Sequence, residues 1–436
     1  MRRLLCLFVV VSVLLLHVAI GDDWPAFRGP QGNGWSDEKN VPTEWSKDMN
    51  VKWKVALPDE GNSSPIVVGD RVFVTCAQEK GQKRGLYCFD RANGSERWSR
   101  IVDFGKVLPT HGTNPYCAPT PVSDGKRVVV WHGTAGLFCY DLDGNELWRR
   151  DDLGEFVHGW GYAASPIIYK DCVVQNCAPG VKAFMAAFDL ATGRDVWRTD
   201  EPPTKNGGTR GTWSTPIVVK LDGQDQVVCF QPSRVVSYRP ESGEIIWYCN
   251  AENKKGDLAY SSAIISDGIC LAQGGYSGGG MAFKLGGTGD ISKNQLWHKP
   301  VNPQSIGTGV IIDGYLYIPD SGPSTIRCID VATGEMKWQE RAGSYWGSIV
   351  MAEGRAYVTD QSGSTLVFKP NPEKLDVIAK NNLDEHSNST PAISNGQVFI
   401  RTFENLWCIE SKCSSMTAPL PLSTQRILTP KKFDAG

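Results

Sequence analysis

Eight short stretches of this chain gather side chains suited to recognition. They read EGNSSP (60–65), THGTNPYCAP (110–119), HGWGYAASP (158–166), TRGTWSTP (209–216), LAYSSA (258–263), QSIGTG (304–309), SYWGS (344–348) and EHSNSTP (385–391). Five of them carry Tyr or Trp close to their ends: Tyr116, Trp160 with Tyr162, Trp213, Tyr260, and Tyr345 with Trp346. Amide, imidazole or guanidinium groups accompany these at Asn62, His111, Asn114, His158, Arg210, His386 and Asn388. An aromatic face stacks a sugar, a quinone or a peptide ring at small entropic cost, and neighbouring hydrogen-bonding groups set its orientation. The bland reading, that glycine, serine and aromatic residues merely suit crowded strand starts, carries equal weight. Metal chemistry has no signature here: the chain lacks CxxCH, has no adjacent cysteines, and its histidines show no ligand spacing. His132 and His298 read as turn or surface residues. AsnSerSer at 62–64 and AsnSerThr at 388–390 match the glycosylation sequon but read as loop residues of the same eight stretches.

What positions these stretches is a repeat. FDLATGRDVW (188–197) returns as FDRANGSERW (89–98), YDLDGNELW (140–148), YRPESGEIIW (238–247), a loosened FKLGGTGDISKNQLW (283–297) and IDVATGEMKW (329–338). With Trp53, the tryptophans fall at 53, 98, 148, 197, 247, 297 and 338, a spacing of 41 to 50 residues. A period of that size marks a repeat architecture. Each unit is a hairpin, since two short apolar runs flank a turn whose glycine supplies a permissive backbone. Another strand pair precedes each hairpin, as in Pro65–Val68 with Arg71–Cys76. Four strands per repeat describe one propeller blade.

First strands open at Pro65, Pro121, Pro166, Pro216, Ala263, Gly309, Ser348 and Pro391, which predicts eight blades. The seventh repeat has lost its tryptophan and places Val377 and Ile378 there. VKWKVAL (51–57) is a fourth strand with no partners before it, while residues 390–410 supply three strands and stop. The N-terminal strand is therefore expected to complete the C-terminal blade and close the ring. The fold class is all-β, an eight-bladed propeller over 51–413, with the eight stretches at the mouth of its channel. Residues 22–50, including WPAFRGPQGNGW, read as an irregular surface segment, and 414–436 as a loosely held tail.

Arg2 and Arg3, an apolar run from Leu4 to Ile20, and Ala19 and Gly21 at its end read as an export signal over 1–21. A retained anchor is the alternative, and both readings place the remainder outside the cytoplasm, secreted or periplasmic. No later segment is long and apolar enough to span a membrane. With 45 basic and 47 acidic side chains, net charge points away from nucleic acid. Thirteen cysteines leave an even twelve after Cys6. Yet Cys88, Cys139, Cys328 and Cys408 share one repeat position with Ala187, Ser237 and Ala282, so a small buried thiol is wanted there. Cys76 and Cys88 flank a hairpin and are a candidate disulfide.

The repeat resembles the tryptophan-containing unit of quinoprotein alcohol dehydrogenases and of their non-catalytic BamB-type relatives. WPAFRGPQGNG beside it also resembles the leader of exported PQQ-like propellers of planctomycete-type bacteria. The resemblance covers nearly the whole mature chain and implies that Trp98, Trp148, Trp197, Trp247, Trp297 and Trp338 pack against neighbouring blades. Three functions follow from it. A monomeric extracytoplasmic scaffold would bind a protein partner or small ligand at the channel mouth. A quinone-dependent dehydrogenase would stack pyrroloquinoline quinone (PQQ) on Trp160, Trp213 or Trp346 and draw calcium ligands from Glu60, Asn62 or Asn114, but the vicinal disulfide is absent and no calcium triad or aspartate base maps onto this chain. A saccharide-binding or saccharide-cleaving propeller would use the same aromatic residues. Neither PQQ nor calcium is expected with the first reading, and fold alone does not choose among them.

Overall fold

The computed structural model describes residues 23–202, 210–250, 257–275 and 279–411. The export signal and the tail read from the sequence lie outside them. Eight antiparallel sheets, each built on four repeat strands, follow one another around a ring. Blade 1 runs from Ile66–Val68 to Glu96–Asp103, blade 2 from Val122–Ser123 to Glu146–Arg150, blade 3 from Ile167–Tyr169 to Asp195–Asp200 and blade 4 from Ile217–Leu221 to Ile245–Asn250. Blade 5 runs from Ile264–Ser266 to Gln295–Lys299, blade 6 from Val310–Ile312 to Met336–Arg341 and blade 7 from Val350–Ala352 to Asp376–Asn382. Blade 8 joins Ala392–Ser394, Gln397–Arg401 and Asn405–Glu410 to the N-terminal strand Val51–Ala56, so the ring closes as expected.

The small repeat position faces the tryptophan. Cys88 pairs with Trp98, Cys139 with Trp148, Ala187 with Trp197, Ser237 with Trp247, Ala282 with Trp297, Cys328 with Trp338 and Cys408 with Trp53. A bulky side chain there would collide with an indole already in place. Cys76 and Cys88 do not form a disulfide: Cys76 faces Gly85 and Cys88 faces Phe73, which puts the two thiols on opposite sides of the sheet.

Six indoles reach the next blade. Trp53 donates to Arg91 O, Trp98 to Leu142 O, Trp148 to Leu190 O, Trp197 to Pro240 O, Trp297 to Val331 O and Trp338 to Asn371 O, at 2.7–3.0 Å. Each leans on a turn: Gly193 has φ +71°, and a Cβ added there would sit 2.6 Å from the Trp148 ring. Glycine is required twice over at such a site, for handedness and for space. Trp247 is different. Its indole donates to Gln226 in its own blade, because Gly289–Asp290 from the blade 5 insertion pairs beside it as a fifth strand.

Blade 7 corrects the sequence reading. Ala379, not Val377 or Ile378, faces Val367 at the tryptophan register, and Val377 is exposed. The missing indole comes from outside the repeat: Trp45 is 2% exposed and joins the core shared by blades 7 and 8, with its backbone N–H donating to Asn381. The segment around it is irregular, as read, but only partly on the surface. Trp24, Arg28, Val41 and Trp45 are all buried. Trp24 bridges to Val67 of blade 1, Pro25 O accepts from Ser123 of blade 2, Arg28 donates to Gly309 O of blade 6, and Trp35–Ser36 pairs with Met351–Ala352 of blade 7. The segment thus straps the end of the channel opposite the mouth. Its irregular backbone is what crossing several blades demands. His132 is also corrected, in that it stands at a turn but is buried, where desolvation pushes its pKa down to about 3 and keeps it neutral.

Ring closure has an acidic clamp. Glu385 accepts from Lys54 of the N-terminal strand at 2.7 Å and from Thr402, Asn405 and Trp407 of blade 8 at 2.5, 2.9 and 3.2 Å. Burial by itself would raise its pKa, but these four donors outweigh it and leave the carboxyl below the ordinary 4.5. A depressed folded pKa means stability present above the unfolded value and lost as pH falls through the folded one. Glu385→Gln is therefore expected to flatten the fall in melting temperature between about pH 5 and 3. An acid limb identical to that of the parent protein would exclude the clamp.

Candidate functional site

The loops that lead into the first strands do converge at the channel mouth. They enclose a cavity of about 130 Å³. Seven of the residues singled out from the sequence line it: Asn62, Asn114, Trp160, Trp213, Tyr260, Trp346 and Asn388. Phe27, from the strap beneath, lines it as well.

One side of the mouth is aromatic. Trp213 meets Tyr260 edge-on at 4.9 Å and is fixed by an indole bond to Gly161 O of 2.9 Å. The histidines stand behind the aromatic rings and not in the lining. His111 stacks on Trp160 at 4.7 Å, and His158 meets Trp213 edge-on at 4.9 Å. Burial lowers the pKa of His158 and of His386, so both are neutral hydrogen-bonding groups at pH 7. His386 packs against Phe403, away from the cavity lining. Tyr162 and Tyr345 are core residues. Arg210 pairs through its backbone with Asp257, while its side chain lies outside the described structure.

The other side is a chain of amides. Gln361 Nε2 donates to Asn388 Oδ1 at 3.0 Å, Asn388 Nδ2 to Asn62 Oδ1 at 3.1 Å, Asn62 Nδ2 to Asn114 Oδ1 at 3.2 Å, and Asn114 Nδ2 to Trp160 O at 2.7 Å. Loops from blades 7, 8, 1, 2 and 3 are thereby locked together. Both sequon asparagines are members of this chain, as their loop reading implied.

Beneath the rim lies a ring that sequence reasoning missed. Ser64, Thr120, Ser165, Thr215, Ser262, Thr308, Ser348 and Thr390 all line the cavity, one from each blade. The backbone N–H of one member donates to the hydroxyl of the next, as from Ser64 to Thr120, Thr120 to Ser165, Ser165 to Thr215 and Ser262 to Thr308, at 2.9–3.0 Å. Thr308 to Ser348, Ser348 to Thr390 and Thr390 to Ser64 continue it. The signal was available: a hydroxyl residue, alternately Ser and Thr, immediately precedes seven of the eight first-strand starts, and Ser348 is itself the start of the other. No charged residue occurs among the described residues of the mouth lining.

The larger cavity is elsewhere. It measures about 930 Å³ and lies between the strap and the far ends of the first strands of blades 4 to 6. No group of three or more His, Cys, Asp or Glu residues able to hold a metal occurs among the described residues, and no helix among them is long and apolar enough to cross a membrane.

Residues 82–340 match the family described as outer membrane protein assembly factor BamB. The chain belongs to this family. A BamB of Burkholderia pseudomallei is 23% identical over 320 residues, which are 70% of this chain and 73% of that protein. The crystal structure of BamB from Moraxella catarrhalis aligns over 81% of this chain and 98% of its own, with a TM-score of 0.56 and 14% identity. Quinohemoprotein alcohol dehydrogenase from Comamonas testosteroni aligns over 94% and 83%, with a TM-score of 0.67 and 12% identity. Such low identities establish the shared propeller and nothing about chemistry. PQQ is a tricarboxylate that needs cationic partners, and with calcium it needs carboxylates too; the uncharged lining described here does not fit them.

Proposed function

We propose that this protein is an extracytoplasmic scaffold whose channel mouth takes an uncharged, ring-sized group from a protein partner. The observation that carries this reading is the neutral mouth cavity of about 130 Å³, bounded by Trp160, Trp213, Tyr260 and Trp346 on one side and by Asn62, Asn114 and Asn388 on the other. That volume suits a single side chain. A charged group would lose its hydration without gaining a counter-charge. An aromatic or amide side chain would stack on the indoles and meet donors below, including the Tyr260 hydroxyl, which is buried without a partner among the described residues. The family's description as an assembly factor supports a protein partner over a metabolite.

The rim aromatic residues provide the test. Trp160 and Trp346 are partly buried, whereas Trp213 is fully buried and hydrogen-bonded. Trp160→Ala and Trp346→Ala are each expected to leave the melting temperature nearly unchanged and to weaken partner binding by about 1–3 kcal/mol, as interface anchors do. Trp213→Ala is expected to cost both binding and stability. The partner would be trapped by photo-crosslinking from position 62 in intact cell envelopes, with position 337 on the outer strand as control. Equal crosslinking from both positions, or rim variants of undiminished affinity, would refute the proposal. Neutral rings over a hydroxyl ring also suit a pyranose, and displacement of the crosslink by free sugars would favour that reading.

A further inference from the structure

At the strapped end of the channel a buried cation that has no ion pair among the described residues faces a cavity. Arg28 is 1% exposed and lines the cavity of about 930 Å³. Its Nη2 donates to Asn33 O at 2.9 Å and to Gly309 O at 2.7 Å. Among the described residues its Nε is buried without a partner and no carboxylate forms an ion pair with it. Burial pushes its pKa down only to about 9, so the charge persists at neutral pH. Other buried arginines are accounted for. Arg327 is paired with Asp320. Arg84 and Arg401 have no acidic partner among the described residues, but each binds protein acceptors and neither lines this cavity or the mouth. Among the buried arginines described, Arg28 is the one that joins an unpaired charge to either of the two cavities.

The rest of the lining sets the ligand's shape. Ile217, Val219, Ile264 and Ile311 form an apolar wall, and Trp35 closes the cavity from the strap with 44% of its surface exposed. Lys220 adds a second cation on the blade 4 side. Asp23 and Asp37 also line the volume, but the Asp23 carboxylate is engaged with Gly69 N at 2.7 Å, on blade 1. Negative charge is therefore welcome near Arg28 and an apolar body along blades 4 to 6.

We propose that this cavity binds an amphipathic monocarboxylate, with its carboxylate on Arg28 and its apolar body against Ile217, Val219, Ile264 and Ile311. An acyl chain and a protein C-terminus share this chemistry. The site is separate from the mouth, so it stands or falls independently of the partner-binding reading.

Titration of the purified protein with carboxyl-¹³C-labelled decanoate, followed by NMR, tests it. Saturable binding is expected, with decyl alcohol at least about tenfold weaker, because a hydrogen bond to a buried charge is lost. Arg28→Gln is expected to weaken decanoate by a similar factor of about ten or more while keeping a donor for the two carbonyls. Val219→Trp should abolish binding by filling the wall and leaving Arg28 in place. It also serves as the deciding variant should Arg28→Gln fail to fold. N-acetyl-leucyl-leucine is the second arm: tighter binding than decanoate assigns a protein C-terminus, and weaker binding assigns an acyl chain. Absence of saturation by both carboxylates overturns the proposal, as does decyl alcohol or Arg28→Gln binding within about twofold of the reference, which would reduce the site to nonspecific apolar contact.

Discussion

A chain that begins at Pro58 is expected to lose the closed ring and to aggregate. Val51–Ala56 is the outer strand of blade 8, and its removal bares the edge of Asn405–Glu410. An exposed edge of paired-strand geometry is a template for association. The truncation also removes Trp53, whose indole ties blade 8 to blade 1, and Trp45, which fills the core between blades 7 and 8. Loss of one buried tryptophan side chain costs about 3–5 kcal/mol. Two such losses approach the about 5–15 kcal/mol by which a typical domain is stable at all. A second truncation, starting at Asp48, separates strand from strap. It retains the closing strand and should remain folded at lower melting temperature. Light scattering and a thermal melt read both results. A monomeric Pro58 chain melting with the parent protein would show that closure by this strand is dispensable.

Trp197→Ala is expected to destabilise the protein by about 3–5 kcal/mol without touching binding at the mouth. The side chain is 7% exposed and donates to Pro240 O at 2.7 Å. It also lies over Gly243, where an added Cβ would come within 2.6 Å of the ring. Truncation leaves a cavity between blades 3 and 4 that their sheets are too stiff to refill. Gly243→Ala attacks the same contact from the other side, adding a Cβ where φ is +71°. It should lose a smaller amount, about 1–2 kcal/mol for the left-handed backbone plus the collision. Denaturant or thermal unfolding measures both, and binding at the mouth is measured in parallel. A stable Trp197→Ala protein that has lost its partner would place this tryptophan in the binding machinery instead.

The sequence by itself determined the architecture. A fixed spacing of tryptophans, a glycine turn before each but Trp53, and an orphan strand at one end matching a deficit at the other specify eight blades and their closure, because period and strand pairing are written into each repeat locally. It also named most of the mouth: Trp160, Trp213, Tyr260, Trp346 and the three asparagines were legible because all lie at one phase of the repeat. What only the tertiary structure decided lies where residues distant in the chain meet. His111, His158 and His386 share that phase yet fall behind the lining, since side-chain direction is set by neighbours and not by period. Trp45 substitutes for an indole missing some 330 residues later, and no repeat arithmetic connects position 45 with Ala379. The strap carries no period, so its glycines and prolines read as surface until the channel end it crosses is seen. The buried Arg28 follows from the same cause, because a charge in an irregular segment looks solvated until the blades are assembled around it.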